Sequence, residues 1–220
     1  KKMNVLIMGS TGMIGKIILR ECLQSEKVRR VTTIVRKATG MSHAKLNEVV
    51  HGDYLNYDPI DYHFEQIDAA YFCIGVYTGQ LPDKEFKTIT VDYTKVFADV
   101  LKKGSPNATV CFLSGDGADQ TEKSKMSFAR YKGMAENYLV QKEFKHLHLF
   151  RPGYIYPVEK RTEPNLMYQT MRFLYPILKG LLSKTSITSE ELAKSMFKAG
   201  LDGNAPQVLE NVDIKNYLYQ

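Results

Sequence analysis

A glycine-rich segment near the N-terminus has the composition of a phosphate-binding loop. It contains, in order, Gly9, Ser10, Thr11, Gly12, Met13, Ile14 and Gly15. In such a loop the first glycine permits a tight turn, the second lets the backbone approach a pyrophosphate, and the third allows close contact between helix and strand. The following helix presents free N–H groups and a partial positive charge to the phosphates. The segment predicts a dinucleotide site, and the alternative is a glycine-rich turn without a ligand.

A basic pair, Arg36 and Lys37, follows the second predicted strand. A site that prefers NAD usually has an acidic residue at this position, where it holds the ribose hydroxyls. A guanidinium and an ammonium instead suit a 2′-phosphate, which an arginine binds bidentately. The pair therefore predicts NADP(H) as the cofactor, and the alternative is a solvated basic turn.

These residues need a scaffold to position them, and the first 150 residues alternate strand and helix patterns. Short β-branched or aromatic runs predict strands at residues 5–8, 31–35, 47–50, 69–74, 109–113 and 147–150. Helically spaced apolar residues predict helices at residues 13–24, 85–103 and 125–141. Apolar strands separated by helices indicate a parallel sheet covered on both faces. The predicted fold class is α/β, a doubly wound parallel sheet.

The pattern changes after Pro152, so we predict a nucleotide-binding domain at residues 1–153 and a small C-terminal region at residues 154–220. About 65 residues are too few for an independent core, so this region is expected to cap the first domain. The sequence predicts a loop at residues 154–164, followed by an apolar helix at 165–182 that Pro176 interrupts. A capping box at 188–191 predicts the start of a second helix, which ends near Gly200. A short strand is predicted at 208–209.

Composition excludes several classes of protein. The chain has 220 residues, 44% of them hydrophobic and 25% charged, as expected for an ordinary globular domain with at most a small appendage. The net charge of +6 is dispersed, without a run of five basic residues, so we expect no nucleic-acid partner. The apolar runs at residues 5–8 and 173–182 are too short or too interrupted for a signal peptide or a membrane span.

The cysteines and histidines point to neither a disulfide scaffold nor a metal site. Cys22, Cys73 and Cys111 form no C-x-x-C pair and are odd in number, so we expect an intracellular, cytoplasmic protein. His146 and His148 alternate on the last predicted strand of the first domain, but no third ligand accompanies them at a useful spacing. No metal is therefore predicted.

The sequence resembles the short-chain dehydrogenase/reductase superfamily, specifically its atypical NAD(P)-binding members related to Tat-interacting-protein-like reductases and the NAD-dependent epimerase/dehydratase group. The resemblance covers nearly the whole chain and rests on the glycine loop, Arg36 and residues 52–53, 73–75, 112–119, 132–133 and 151–153. It implies a Rossmann fold with a small C-terminal substrate lobe. It also implies that Asp53 meets the adenine amino group and that other cofactor contacts come from Cys73, Ile74, Gly75, Lys132, Pro152 and Gly153.

The resemblance also implies a catalytic serine, tyrosine and lysine. The tyrosine exchanges a proton with the substrate carbonyl, the lysine lowers the pKa of the tyrosine and holds the nicotinamide ribose, and the serine fixes the carbonyl. Ser114 matches the serine and Lys132 matches the lysine. The position four residues before Lys132, on the same helix face, is occupied by Phe128, so the tyrosine is missing.

Two other tyrosines are candidates for the missing hydroxyl. Tyr138 begins a Y-x-x-x-K sequence, but it lies about 15 Å along the helix from Phe128 and is expected to be a packing or surface residue. Tyr131 is three residues from Phe128, so its hydroxyl reaches the site only after repacking, and the alternative is a structural tyrosine. The candidate catalytic residues are Ser114, Lys132 and Tyr131, with another loop residue or water as alternative proton donors.

Two functional hypotheses follow from these residues. The first is an NADP(H)-dependent oxidoreductase or redox-assisted isomerase that acts on an unidentified small molecule through a degenerate Ser-Tyr-Lys site. The second is a non-catalytic NADP(H)-binding protein that regulates a partner. A methyltransferase or another Rossmann-like nucleotide user is a more distant third. The apolar helix at residues 165–182 suits a substrate pocket, a homodimer face or a membrane surface, although packing against the first domain is favoured.

Overall fold

A parallel sheet of seven strands organises the molecule, which we describe from a computed structural model at residues 1–76, 80–159, 166–178, 180 and 182–220. Its strands are β1 (Met3–Met8), β2 (Val28–Val35), β3 (Leu46–Val50), β4 (Ala69–Phe72), β5 (Thr109–Leu113), β6 (His146–Arg151) and β9 (Val208–Glu210). Their order is β3-β2-β1-β4-β5-β6-β9, with every neighbouring pair parallel. A second, two-stranded sheet pairs β7 (Tyr154–Tyr156) with β8 (Ser186–Thr188).

Helices connect the strands and cover both faces of the large sheet. They are α1 (Met13–Gln24), α2 (Asp83–Lys87), α3 (Tyr93–Gly104), α4 (Ser127–Gln141), α5 (Leu166–Leu178), α6 (Ser189–Asp202) and α7 (Asn211–Tyr219). A π-helical turn at Thr88–Asp92 joins α2 to α3, and a 3₁₀ helix at Asp58–Phe64 precedes β4. The predicted doubly wound α/β fold is confirmed.

The core consists of two apolar layers, one on each face of the sheet. On one face, buried side chains of α1 and α6, such as Ile18 and Met196, pack against Val5 and Ile7 of β1. On the other face, α3 and α4 cover the alternate residues of the same strands. Because each central strand is buried on both sides, its sequence is a continuous apolar run without alternation.

The residues after 153 complete this sheet. β9 pairs with β6 as the seventh strand, and α6 packs its buried face in the same apolar layer as α1. The predicted capping box is present, because the Thr188 hydroxyl accepts from the Glu191 N–H and the Glu191 carboxylate accepts from the Thr188 N–H. The helix ends at Gly203, whose φ of 65° is the left-handed conformation typical of a helix C-terminus.

Several predicted boundaries differ from the observed elements. The predicted loop at 154–164 begins with strand β7, while its residues 160–164 lie outside the described residues. Pro176 lies inside α5, whose described part ends at Leu178. The short elements β7, β8 and the 3₁₀ helix were not predicted, because three to seven residues carry too little periodicity to identify. Among the described residues, no helix combines the length and apolar character needed to cross a membrane.

Candidate functional site

The glycine loop connects β1 to α1 where the strand order of the sheet reverses, since β2 and β4 lie on opposite sides of β1. Gly9 has a φ of +79°, and a Cβ there would lie 2.8 Å from the carbonyl carbon and oxygen of Cys73. A Cβ on Gly15 would lie 2.1 Å from the Gly9 carbonyl oxygen. Gly9 is therefore required by the close approach of the chain that follows β4, and Gly15 by the packing of α1 against the loop itself.

Gly12 has a different role. A Cβ there would meet only the Gly9 carbonyl oxygen, at 3.4 Å, which is an ordinary contact. Gly75, at the end of β4, has no atom within 4 Å of the corresponding position. Both glycines line a cleft, so the backbone at these points is open to a ligand. This openness, together with the start of α1, fits the pyrophosphate of a dinucleotide.

Two clefts lie along the loop. The first, of about 380 Å³, is lined by Gly12, Met13, Ile14, Cys73, Gly75, Val76, Leu113, Ser114, Gly115, Phe128, Lys132, Pro152, Gly153, Tyr154, Ile155 and Tyr168. The second, of about 360 Å³, is lined by Gly9, Ser10, Thr11, Ile34, Val35, Arg36, Lys37 and Tyr54. The structure thus brings together most of the predicted cofactor-binding residues, with Gly15, Asp53 and Ile74 outside both sets.

The second cleft combines positive charge with an aromatic ring. Arg36 and Lys37 follow the carboxyl end of β2 and are exposed. Tyr54 donates a 3.3 Å hydrogen bond to the Ile34 carbonyl, and its burial raises the pKa of its hydroxyl. Asp53 is exposed and accepts a hydrogen bond from the Leu55 N–H at 3.0 Å. Sequence reasoning missed Tyr54, for which the adjacent Asp53 was the available signal.

Lys132 is buried in the wall of the first cleft. Its Nζ donates a 2.9 Å hydrogen bond to the carbonyl of Leu113 and lies 5.2 Å from the ring centroid of Phe112. Burial lowers the pKa of Lys132 to about 8, although the charge of Glu136 and the thiol of Cys73 act in the opposite direction. Burial raises the pKa of the Cys73 thiol to about 12, so this thiol stays protonated near neutral pH.

The hydroxyl of Ser114 is engaged by a buried ion pair. Ser114 Oγ donates to Glu136 Oε1 at 2.5 Å, and the same carboxylate accepts two bonds from Arg151 and one from Gln120. Arg151 also pairs with Glu210 of β9 at 2.9 Å. With four donors on one carboxylate, the proton of Ser114 is directed at Glu136.

Phe128 fills the position where the resemblance expects a tyrosine. A Cβ on Gly115 would lie 2.3 Å from Cζ of Phe128, 3.0 Å from Cε1 and 3.5 Å from Cε2. The tip of the ring is therefore aimed at Gly115. A hydroxyl bonded to Cζ would meet Gly115 unless the ring moved, so the phenylalanine and the glycine fit each other.

The two alternative tyrosines have other partners. Tyr131 donates a 2.6 Å hydrogen bond to Asp83 and packs against Phe86, and it is absent from the described residues that line the first cleft. The structure thus does not bring Tyr131 together with Ser114 and Lys132 around that cleft. Tyr138 donates to both oxygens of Asp99 on α3, at 2.8 and 3.0 Å, in an exposed position.

Two further tyrosines, Tyr154 of β7 and Tyr168 of α5, line the first cleft. Their ring centroids are 6.1 Å apart with an interplanar angle of 31°. No periodic or motif signal pointed to Tyr168, because α5 is distant from the glycine loop in sequence.

The part of the chain that the structure describes contains no arrangement of side chains that could bind a metal ion. No group of three His, Cys, Asp or Glu side chains there is placed to hold an ion. His148 is buried, and its Nδ1 lies 3.0 Å from the Pro206 carbonyl oxygen. Its environment is that of a packed strand residue.

Curated proteins show similarity over most of the chain. Protein HTATIP2 of Rattus norvegicus is 26% identical over 164 residues, which cover 73% of this chain and 66% of that protein. Protein fmp52, mitochondrial, of Aspergillus clavatus is 25% identical over 232 residues, covering 95% of this chain and 93% of that protein. The matched part thus spans about two thirds of the length of the first relative.

Solved structures share the fold. Gre2 of Candida albicans in complex with NADPH superposes with a TM-score of 0.71 at 13% identity, covering 94% of this chain and 78% of the other. The Bordetella bronchiseptica enzyme WbmG in complex with NAD superposes with a TM-score of 0.68 at 14% identity, covering 96% and 72%. At these identities the similarity shows a Rossmann-type fold.

The family assignment rests on the sequence match at residues 5–143, a segment that includes the glycine loop, Ser114 and Lys132. The predicted resemblance to atypical short-chain dehydrogenases/reductases is confirmed by this match and by the relatives. Since the matched segment covers more than half of the residues, the chain belongs to the NAD dependent epimerase/dehydratase family.

Proposed function

We propose that the protein binds NADP(H) and acts as an oxidoreductase, or as a redox-assisted isomerase, on a small molecule. The observation that carries this proposal is the placement of two clefts along one glycine loop, with Arg36 and Lys37 in one and Lys132 in the other. The first pair is suited to a 2′-phosphate, and a cleft with a buried cation suits the reacting end of a dinucleotide.

Each residue has a binding role in this proposal. Gly12 and the N-terminus of α1 hold the pyrophosphate, Arg36 binds the 2′-phosphate, and Tyr54 provides a ring surface in the same cleft. Lys132 holds the nicotinamide ribose from the wall of the first cleft. When bound, NADP(H) supplies or accepts a hydride.

Direct titration tests the cofactor preference. NADPH should bind with higher affinity than NADH, and Arg36→Ala should weaken NADPH binding about 10- to 100-fold while leaving NADH binding unchanged, as expected for loss of a charge-assisted phosphate contact. Nicotinamide fluorescence reports the binding. Arg30→Ala is the matched control, because Arg30 is an exposed arginine of β2 outside both clefts. Equal affinity for the two cofactors in the unaltered protein would refute the role of Arg36.

A second function is favoured by the contact between Phe128 and Gly115. Phe128, packed against Gly115, supplies no hydroxyl at the tyrosine position, and the Ser114 hydroxyl donates to Glu136. The tyrosine and serine hydroxyls that the resemblance assigns to carbonyl chemistry are therefore not available. A non-catalytic protein that uses NADP(H) occupancy to regulate a partner needs neither group. NADPH binding without turnover of any carbonyl compound in a broad panel would support this second function.

We also propose a reducing, cytoplasmic location. All three cysteines are free, and Cys22 and Cys111 are buried. Free buried cysteines are typical of proteins that stay in a reducing compartment. Imaging of the tagged full-length protein tests the location.

A further inference from the structure

The wall of the first cleft contains three aromatic rings, Phe128, Tyr154 and Tyr168, each half-buried. A further ring supports them from behind: Tyr175 of α5 lies 6.0 Å from Tyr154 and stacks on Tyr156 at 4.3 Å with an interplanar angle of 16°. Because this ring stack joins β7 to α5, it holds Tyr154 and Tyr168 in place. Such a wall favours a flat, conjugated ligand over a flexible aliphatic one.

The charged side chains that line the first cleft restrict the class of ligand that it can bind. No Asp, Glu, His or Arg is among its described lining residues, and Lys132 is the single cation among them. A ligand with several phosphates meets no arginine among these described lining residues. The cleft is therefore suited to an uncharged molecule on which a negative charge develops near Lys132.

The groups considered for the family's catalytic serine and tyrosine are not free to protonate an alkoxide. Phe128 has no exchangeable proton, Ser114 donates to Glu136, and Tyr131 donates to Asp83. Hydride addition to a simple ketone produces an alkoxide, the conjugate base of an acid about as weak as water, whose pKa is about 16. Hydride transfer to a quinone produces a phenolate, whose conjugate acid has a pKa of about 10, as in tyrosine. A site in which the serine and tyrosine of the family set are engaged elsewhere or replaced is therefore better matched to the quinone, whose reduced product needs only a weak proton donor.

Resting on the proposed NADP(H)-dependent hydride transfer, we propose that the substrate is a quinone that lies against Tyr168 and Tyr154 with one carbonyl oxygen near Lys132. The quinone accepts a hydride, that is two electrons and one proton, from the reduced nicotinamide, which is thereby oxidised. The C–H bond of the nicotinamide breaks as the quinone becomes a hydroquinone monoanion. The Lys132 ammonium stabilises this anion, and a solvent proton completes the hydroquinone.

Calorimetry with 1,4-naphthoquinone tests the recognition without turnover, using the full chain saturated with NADP⁺. Tyr168→Leu should weaken quinone binding about tenfold, because it removes the ring contact. Tyr168→Phe should retain the affinity, which separates loss of the ring from any disturbance of α5. Tyr62→Leu is the matched control, because Tyr62 is 60% exposed on the 3₁₀ helix and lines neither cleft.

A measurement of turnover is the second part of the test. With NADPH, naphthoquinone should be reduced above the rate of a protein-free mixture, and cyclohexanone should not. If NADPH binds but cyclohexanone is reduced as fast as the quinone, or if Tyr168→Leu leaves quinone affinity unchanged, the substrate proposal is wrong and the proposed cofactor function stands. If NADPH does not bind in direct titration, the proposed function itself is wrong.

Discussion

Ser114 and Glu136 are linked by a 2.5 Å hydrogen bond in which the serine hydroxyl is the donor. The carboxylate is fully buried and its ion pair with Arg151 crosses from α4 to β6. Since β6 also carries β9 at the edge of the sheet, this carboxylate connects the cleft to the last strand. The same contact determines which way the Ser114 proton points.

Replacing Glu136 with glutamine should be strongly destabilising. The amide places a donor where two of the four donors now converge and leaves Arg151 with the half-exposed Glu210 as its remaining charge partner, so we expect a loss of about 3 kcal/mol in the free energy of unfolding. Asp61→Asn breaks the exposed pair with Lys103 and should cost about 1 kcal/mol or less. Urea unfolding measures both, and equal losses would contradict the prediction.

Alanine substitutions at two glycines of the loop should have different effects, one on stability and the other on NADPH binding. Gly15→Ala places a Cβ 2.1 Å from a backbone oxygen, and we expect a loss of about 3 kcal/mol in stability. Gly12→Ala meets only an ordinary contact, so the fold should persist while NADPH binding weakens at least about tenfold. Thermal unfolding and nicotinamide fluorescence distinguish the two effects. If the Gly12→Ala protein binds NADPH with normal affinity, Gly12 does not face the cofactor.

Lys132 should make stability rise with pH. Its pKa in the folded protein is about 8, below its ordinary value of 10.5, so between these values the unfolded chain binds a proton that the folded protein does not. The free energy of unfolding therefore increases with pH in this window, by about 2 kcal/mol from pH 7.5 to pH 9.5 for this group alone. Lys132→Met removes the group, and denaturant unfolding of both proteins at the two pH values should show that difference. Parallel pH profiles would argue against the buried, lowered pKa.

Gly115 and Phe128 should be energetically coupled. Gly115→Ala brings a methyl group to 2.3 Å from the ring tip and should cost about 1–3 kcal/mol through overpacking. In a Phe128→Ala background the ring is gone, so the same substitution should cost less by about 1 kcal/mol or more. A double-mutant cycle of unfolding free energies measures this coupling. Additive effects would show that the ring does not press on this glycine.

The loop and the sheet were predictable because their causes are local in sequence. Gly15 is required by atoms within the same strand–turn–helix unit and Gly12 leaves an open face on it, while Gly9 is also required by the chain after β4. The apolar strands are continuous because helices cover both sides of the sheet. The capping box at Thr188 was equally readable, since its two hydrogen bonds join residues three apart.

Side-chain direction at the site was not predictable in the same way. Ser114 was found from its place at the end of β5, but the direction of its hydroxyl depends on Glu136, which lies 22 residues later, and on Arg151 beyond it. Tyr168 reaches the cleft from α5, with no spacing that relates it to the loop. Contacts between distant segments carry no short-range pattern.

The packing of α1 against α6 has a consequence for the newly made chain. Arg20 of α1 holds the Glu190 carboxylate with bonds of 2.8 and 2.9 Å, and the apolar faces of the two helices share one layer. During translation at about 5–20 residues per second, the ribosome makes α1 roughly 10–30 s before α6. The helix that begins at the glycine loop is thus among the first segments synthesised, and the side of it that packs on α6 stays uncovered until α6 is made. We therefore expect the glycine loop to become able to bind a ligand only late in biosynthesis, after α6 has been synthesised.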